Sequence, residues 1–237
     1  MPSLNGAVVL VTGANGGIGT HFVQEALEHG AAKVYATARS PHTWDDDRIV
    51  PLPLDVTSPA SIQAAADAAP DVSVLINNAG VSTSSAGILT HTDEEIRTNV
   101  ETNFLGPLFL ARAFAPILTS KDESTLVQVH SLLSWYAVAG IYSATKAALW
   151  SATNSLRLEL APNGVHVVGV HVGYVDTPMA AHASTPKTQP ADLVRAVFDA
   201  VEAGHYEVLA DEGSVRAKAG LSLPVEKVYP QLRATTA

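Results

Sequence analysis

Short runs rich in Val, Ile and Leu alternate along the chain with longer Ala-rich stretches of helical periodicity, which is the pattern of βαβ units around a parallel sheet. Strands are predicted at residues 7–12, 33–37, 49–54, 72–77, 126–130, 165–172 and 206–210, and helices at 18–29, 59–69, 94–118, 142–161 and 191–203. The strand segments are apolar throughout rather than alternating, so both of their faces should be buried. The third contains Pro51 and Pro53. Proline has no N–H to give a ladder, and residues two apart point their N–H groups the same way. This strand therefore belongs at an edge, with both missing donors on the open side. A doubly wound α/β sheet of the Rossmann type, strand order 3-2-1-4-5-6-7 with helices on both faces, puts it there. Within the long third helical stretch, Pro107 stands four residues after Asn103. It removes the N–H that would bond the Asn103 carbonyl and predicts a kink at Gly106-Pro107, freeing that carbonyl for an ordered water.

Composition narrows the class. The 237 residues carry no repeat and no low-complexity linker, and residues 1–237 read as one domain. With 47% apolar and 16% charged residues the chain is too apolar to be disordered. There are 14 Lys and Arg against 23 Asp and Glu, a net charge of −9, and no basic block, which argues against nucleic acid or an anionic membrane as partner. Cysteine is absent, and the nine histidines show no metal-ligand spacing, so no disulfide and no metal is expected. The first six residues have no positive segment, and no apolar run approaches the roughly 18 residues of a membrane span. A soluble, cytoplasmic protein is expected. Residues 211–237 should be loop and short helix with a frayed tail.

Three segments carry chemistry. The first strand ends in Thr12-Gly13-Ala14-Asn15-Gly16-Gly17-Ile18-Gly19, directly before a helix. Glycines there let the backbone turn sharply and bring N–H groups to a pyrophosphate at the positive end of the helix. The second strand ends in Ala38-Arg39. Where a dinucleotide fold places an acid to bind the ribose 2′-hydroxyl, this chain has alanine followed by an arginine suited to a 2′-phosphate, so NADP(H) is favoured over NAD(H). Tyr142-Ser143-Ala144-Thr145-Lys146 puts Tyr142 and Lys146 on one helix face. A free phenol titrates near 10, and a neighbouring ammonium would lower that value toward useful proton exchange with a carbonyl or alcohol oxygen.

These segments occur in order with Asp55-Val56 after the third strand and Asn77-Asn78-Ala79-Gly80 after the fourth. Together they resemble the short-chain dehydrogenase/reductase family in its single-domain form, over residues 4–210. The resemblance implies roles. Tyr142 would be the general acid/base; Lys146 would lower its pKa and hold the nicotinamide ribose; Ser131 would hydrogen-bond the substrate oxygen; and Asn103 would support a water relay. Gly13, Asn15, Gly17, Ile18, Gly19, Arg39, Asp55, Val56, Asn78, Ala79 and Gly80 would line the cofactor with Tyr142 and Lys146. In the segment Gly173-Tyr174-Val175-Asp176-Thr177, Gly173 and Val175 would also contact the cofactor and Thr177 would lie near the carboxamide. Family members are commonly dimers or tetramers, so a homodimer or homotetramer is expected.

The chain departs from that pattern in three places. Ser131 precedes Tyr142 by 11 residues where 13 is usual, Val172-Gly173 stands for Pro-Gly, and His130 occupies a position where a small residue is common. Ser134 rivals Ser131, but Ser131 follows the strand directly. Leu133, Trp135, Tyr136, Tyr174, Met179 and His182 should border the substrate pocket. Their apolar and aromatic character suggests a hydrophobic ketone or aldehyde interconverted with its alcohol, the chemistry of a carbonyl reductase or alcohol dehydrogenase. The alternatives are an NAD(H)-dependent alcohol dehydrogenase and a non-catalytic NADP(H) sensor.

Overall fold

The computed structural model describes residues 3–83 and 87–233; the expected frayed tail at 234–237 lies outside them. Seven parallel strands form one sheet: β1 (Val8–Thr12), β2 (Lys33–Ala38), β3 (Ile49–Pro53), β4 (Val74–Asn77), β5 (Ser124–Val129), β6 (Val165–His171) and β7 (Glu207–Leu209). Their order is β3-β2-β1-β4-β5-β6-β7, as the sequence predicts. β3 lies at the edge, and the Leu54 N–H donates to the Ala38 carbonyl across the β2 side at 2.9 Å. Even-numbered donors therefore face β2, and the missing donors of Pro51 and Pro53 face the open edge.

Alternation along each buried strand feeds two cores. Val9 and Val11 of β1, with Val74 and Ile76 of β4, meet α1 (Ile18–Glu28) and α6 (Pro190–Glu202), where the Phe22 and Phe198 rings touch edge to face at 5.7 Å. Leu10 and Leu75 point the other way, toward α2 (Pro59–Ala68), α4 (Gly106–Leu118) and α5 (Gly140–Leu160). The central strands are sandwiched as expected, but the edge strand β3 is not: Pro51 and Pro53 are exposed and Val50 and Leu52 only half-buried, because no further strand covers that side. The loops that follow the strands gather at the carboxyl end.

The single helix expected over 94–118 is instead two. α3 (Asp93–Val100), closed by a Thr92/Glu95 capping box, runs into a π-helical turn at Glu101–Leu105 before α4 begins at Gly106. The Gly106 N–H bonds the Glu101 carbonyl five residues back. Pro107 offers no N–H to the α-helical ladder, and the chain answers by widening one turn just ahead of it. At the carboxyl end, α7 (Glu212–Ala219) and the short α8 (Val225–Val228) return over the loop between β5 and α5. Tyr229 stacks on Tyr136 at 5.3 Å and accepts the Ala137 N–H at 2.9 Å.

The edge assignment can be tested by urea unfolding. Pro51→Ala and Pro53→Ala should each cost less than about 1 kcal/mol, because no ladder bond changes. Leu52→Pro deletes a donor aimed at β2 and should cost at least about 2 kcal/mol more.

Candidate active site

At the carboxyl end of the sheet one cavity of about 1740 Å³ runs from the β1–α1 loop to the mouth between Tyr136 and His182. Its first half is backbone. Gly17 holds φ 56°, a left-handed conformation that favours glycine, and it begins α1 with no side-chain cap. α2, by contrast, is closed by Ser58 accepting from the Ser61 N–H. The Gly19 N–H is taken by the Gly16 carbonyl at 3.1 Å, and with no side chain capping the remaining first-turn N–H groups, an anion suits this helix start. The Asn15 amide donates to the Ser40 carbonyl at 2.7 Å, joining this loop to the end of β2, where exposed Arg39 borders the same cavity. Asp55 and Val56 form the facing wall. The Asp55 carboxyl is drawn below its ordinary range by Thr57 and, to a lesser degree, by Arg39. The next stretch is strapped to β1: the Thr12 hydroxyl accepts the N–H groups of Asn78 and Ala79 at 2.9 and 3.0 Å. These features fit a dinucleotide carrying an extra phosphate beside Arg39.

The second half holds Ser131, Tyr142 and Lys146. Ser131 leaves β5 in extended conformation, its hydroxyl accepting the Leu133 N–H at 3.1 Å. α5 starts two residues before Tyr142, at Gly140 with φ 54°, so the shortened connection ends in a glycine turn and Tyr142 sits in the first helical turn. Lys146, one turn further on and 4% exposed, donates to the Val129 carbonyl at 2.8 Å, with its ammonium 5.7 Å from the Tyr142 ring centre. Gly80 keeps this floor open, since a Cβ there would lie 3.8 Å from the ammonium and 3.3 Å from Asn103 Oδ1.

Most residues expected from sequence meet in this cavity: Gly13, Asn15, Gly17, Ile18, Arg39, Asp55, Val56, Asn78, Ala79, Gly80, Ser131, Tyr142, Lys146, Gly173, Val175 and Thr177, with Leu133, Tyr136, Tyr174, Met179 and His182 toward the mouth. Three stand elsewhere. Gly19 lies behind the wall, where a Cβ would overlap the Gly13 carbonyl, so its role is close helix–strand approach. Trp135 turns inward and stacks on His171 at 3.8 Å. Asn103 is fully buried, and its side chain clamps the Val81 backbone with two bonds of 2.8 Å. The rival Ser134 is buried with its hydroxyl unpartnered and outside the cavity wall. Glu94, Arg97, Thr98 and Glu101 also line the cavity and were not anticipated. Their spacing of three, four and seven residues marks one face of α3 and was the available signal. Asp211, likewise unforeseen, caps α7 and accepts the Gly173 N–H.

A model of the short chain dehydrogenase family matches residues 7–188. The chain belongs to this family. It is 30% identical over 210 residues to the NADP-dependent 3-hydroxy acid dehydrogenase of Schizosaccharomyces pombe, covering 82% of this chain and 81% of that protein. A crystal structure of a short chain dehydrogenase from Burkholderia cenocepacia in complex with NADP is 34% identical and superposes with a TM-score of 0.90 over 98% of this chain and 99% of that one. The NADPH-bound carbonyl reductase from chicken fatty liver is 28% identical, with a TM-score of 0.76 over 82% and 90% of the two chains.

The electrostatics of this short-chain dehydrogenase differ from the simple expectation for its tyrosine. Burial pushes the Tyr142 phenol up to about 12, and a hydrogen bond with Ser131 draws it back only in part. The lowering expected from Lys146 is overridden, because that ammonium is aimed at Val129 rather than at the phenol oxygen. The cofactor-free site therefore holds a protonated tyrosine, the form that can donate a proton. Burial also lowers Lys146, to about 8.

The lysine gives a pH signature with a definite sign. Between about pH 8 and the unfolded value of 10.5 the unfolded chain binds a proton at Lys146 that the fold does not, so stability rises with pH in that window. Tyr142 acts oppositely, and only above its unfolded value of 10.0. Denaturant unfolding of the cofactor-free protein should show about 2 kcal/mol more stability at pH 9.5 than at 7.5, and Lys146→Met should remove that rise.

Proposed function

We propose that the protein is an NADP(H)-dependent oxidoreductase that interconverts a hydrophobic ketone or aldehyde with its alcohol. One observation carries the reading: a single cavity has exposed Arg39 at one end and Ser131, Tyr142 and Lys146 together at the other. The NADP-bound relatives support the cofactor assignment, and Ala38 before Arg39 leaves no acid to compete for a 2′-phosphate. The apolar side chains at the mouth, Val138, Tyr174 and Met179, are each about half exposed and favour a substrate with an apolar body.

Bound NADPH supplies the hydride for reduction. The chain's own work is to hold the carbonyl oxygen and protonate it. The Ser131 hydroxyl donates to that oxygen and polarises it. Tyr142, kept neutral by burial, donates its phenolic proton as charge grows on the oxygen. Lys146 then faces a phenolate, which its ammonium stabilises from the same helix face. Pro107 offers the Asn103 carbonyl no N–H, and we propose that this carbonyl holds a water linking Lys146 to solvent. Oxidation runs these steps backwards.

Following cofactor absorbance with a panel of apolar ketones and aldehydes tests the reading. NADPH should support turnover well above NADH, and Arg39→Ala should erase about 10- to 100-fold of that preference. Tyr142→Phe should lower kcat by about 10²- to 10⁴-fold while NADPH affinity stays within about twofold. A preference for NADH would overturn the cofactor assignment. Tight NADPH binding with no turnover would favour a sensor.

A further inference from the structure

Beneath Ser131 lie two histidines that the proposed chemistry does not use. His130 is 2% exposed and His171 is fully buried. His130 Nε2 is 2.9 Å from the Thr153 hydroxyl, and its Nδ1 is 3.1 Å from His171 Nε2. His171 Nδ1 is in turn 3.0 Å from the Ser131 carbonyl. The arrangement is shaped to fit. A Cβ at Gly169 would stand 2.8 Å from His130 Cε1, and Trp135 stacks on His171 with the rings 15° from parallel.

The end of this chain fixes its direction. A carbonyl only accepts, so His171 Nδ1 must carry a proton. If His171 is neutral, its Nε2 is bare and must receive the Nδ1–H of His130. If His130 is neutral, its own Nε2 is bare and must receive the Thr153 hydroxyl proton. That hydroxyl also lies 2.7 Å from the Leu149 carbonyl, which keeps its helical N–H partner and can release the side chain. Two other arrangements satisfy every contact, both with Thr153 turned to Leu149: a doubly protonated His171 with His130 protonated on Nε2, or a doubly protonated His130 beside a neutral His171. Each places a cation in the core, and burial with the charges of Lys146 and Arg157 holds His130 well below its ordinary range. Glu207 lies 3.6 Å from His171 Nε2 but is already paired with Lys218, and Lys146 and Arg157 add positive charge nearby. Burial and those cations outweigh the Ser131 carbonyl and hold His171 down, at about 3.

We infer that His130 and His171 are both neutral and protonated on Nδ1, forming a one-way hydrogen-bond chain from Thr153 that ends on the Ser131 carbonyl and makes His171 a positioning residue for the Ser131 hydroxyl. The positioning half rests on the role proposed for Ser131, whereas the tautomers do not. The histidine at a position where a small residue is common thus acts with Gly169, which leaves room for its ring, to fix Ser131, the second residue beyond the strand. This matters most where the connection to Tyr142 is short and the serine has little loop to steady it.

Long-range ¹H–¹⁵N correlation on histidine-labelled wild-type protein at pH 7 reads the tautomers directly, with His171→Asn assigning the two buried rings. Both should show a protonated Nδ1 and a bare Nε2, the minor form of free neutral histidine. A protonated Nε2 on either ring would overturn the inference. Kinetics test the positioning. His171→Phe keeps a ring on Trp135 but has no donor, and should lower kcat by about 10- to 100-fold with substrate KM and NADPH affinity nearly unchanged. His171→Asn puts an amide N–H near the lost Nδ1 and should hold kcat within about threefold of wild type. Undiminished kcat in His171→Phe, or equal losses in the two variants, would overturn the positioning role. Ser131→Ala separates that failure from failure of the functional reading: a normal kcat there would remove Ser131 from catalysis and leave the tautomer result standing.

Discussion

Lys146 carries its ammonium into a floor where water has little access, and there it donates to the main-chain carbonyl of Val129, 2.8 Å away at the end of β5. Burying a charge with little compensation is unfavourable, and burial draws its pKa down to about 8. Much of the local architecture serves to hold the group there. α5 must run against the end of β5 for the lysine to reach Val129. Tyr142 must then lie one turn before it, facing the same cavity, and Gly80 must lack a side chain. A fold that needed only stability would place an apolar residue at 146. The constraint is intelligible once a phenolate and a bound dinucleotide are the ammonium's working partners.

The sheet was legible because each of its cues is local and physical. Uniformly apolar strands announced burial on both faces, and Pro51 and Pro53 marked the edge, a position that Leu54 bonding to Ala38 bears out. The nucleotide half was legible for the same reason, since glycines are demanded by the backbone itself. Gly17 needs a left-handed conformation, and Gly19 has no room for a Cβ beside Gly13. Other parts depend on partners distant in sequence, and there local cues fail. Trp135 reads as a pocket residue from its place in the chain, yet it turns inward because His171, 36 positions later, offers it a ring face. The polar face of α3 reads as solvated surface, and becomes cavity wall only through the loops it meets at the carboxyl end of the sheet.

The short connection between Ser131 and Tyr142 shows how the fold compensates for a departure from its family pattern. Gly140 closes the loop with a positive φ, and the carboxyl-terminal segment braces it from outside through Tyr229 on Tyr136 and Ala137. Asp211 fixes the opposite wall by capping α7 and holding the Gly173 N–H. None of these contacts touches the reacting groups. Each limits where Ser131, Tyr136 and Gly173 can stand, and pocket shape follows from them. The cofactor cradle is thus built on loops at strand ends, whereas the cavity mouth is shaped by a loop that the carboxyl-terminal segment steadies.

In the proposed function the cavity joins a cofactor site to a proton-donating tyrosine, so that one reduction occurs across the two. The most direct measurement uses NADPH carrying deuterium at C4, with mass analysis of the alcohol formed from an accepted ketone. The account predicts one deuterium on the carbinol carbon per cofactor oxidised, from one face of the nicotinamide only. NADPH that binds in the cavity yet transfers no label to any ketone or aldehyde would contradict it.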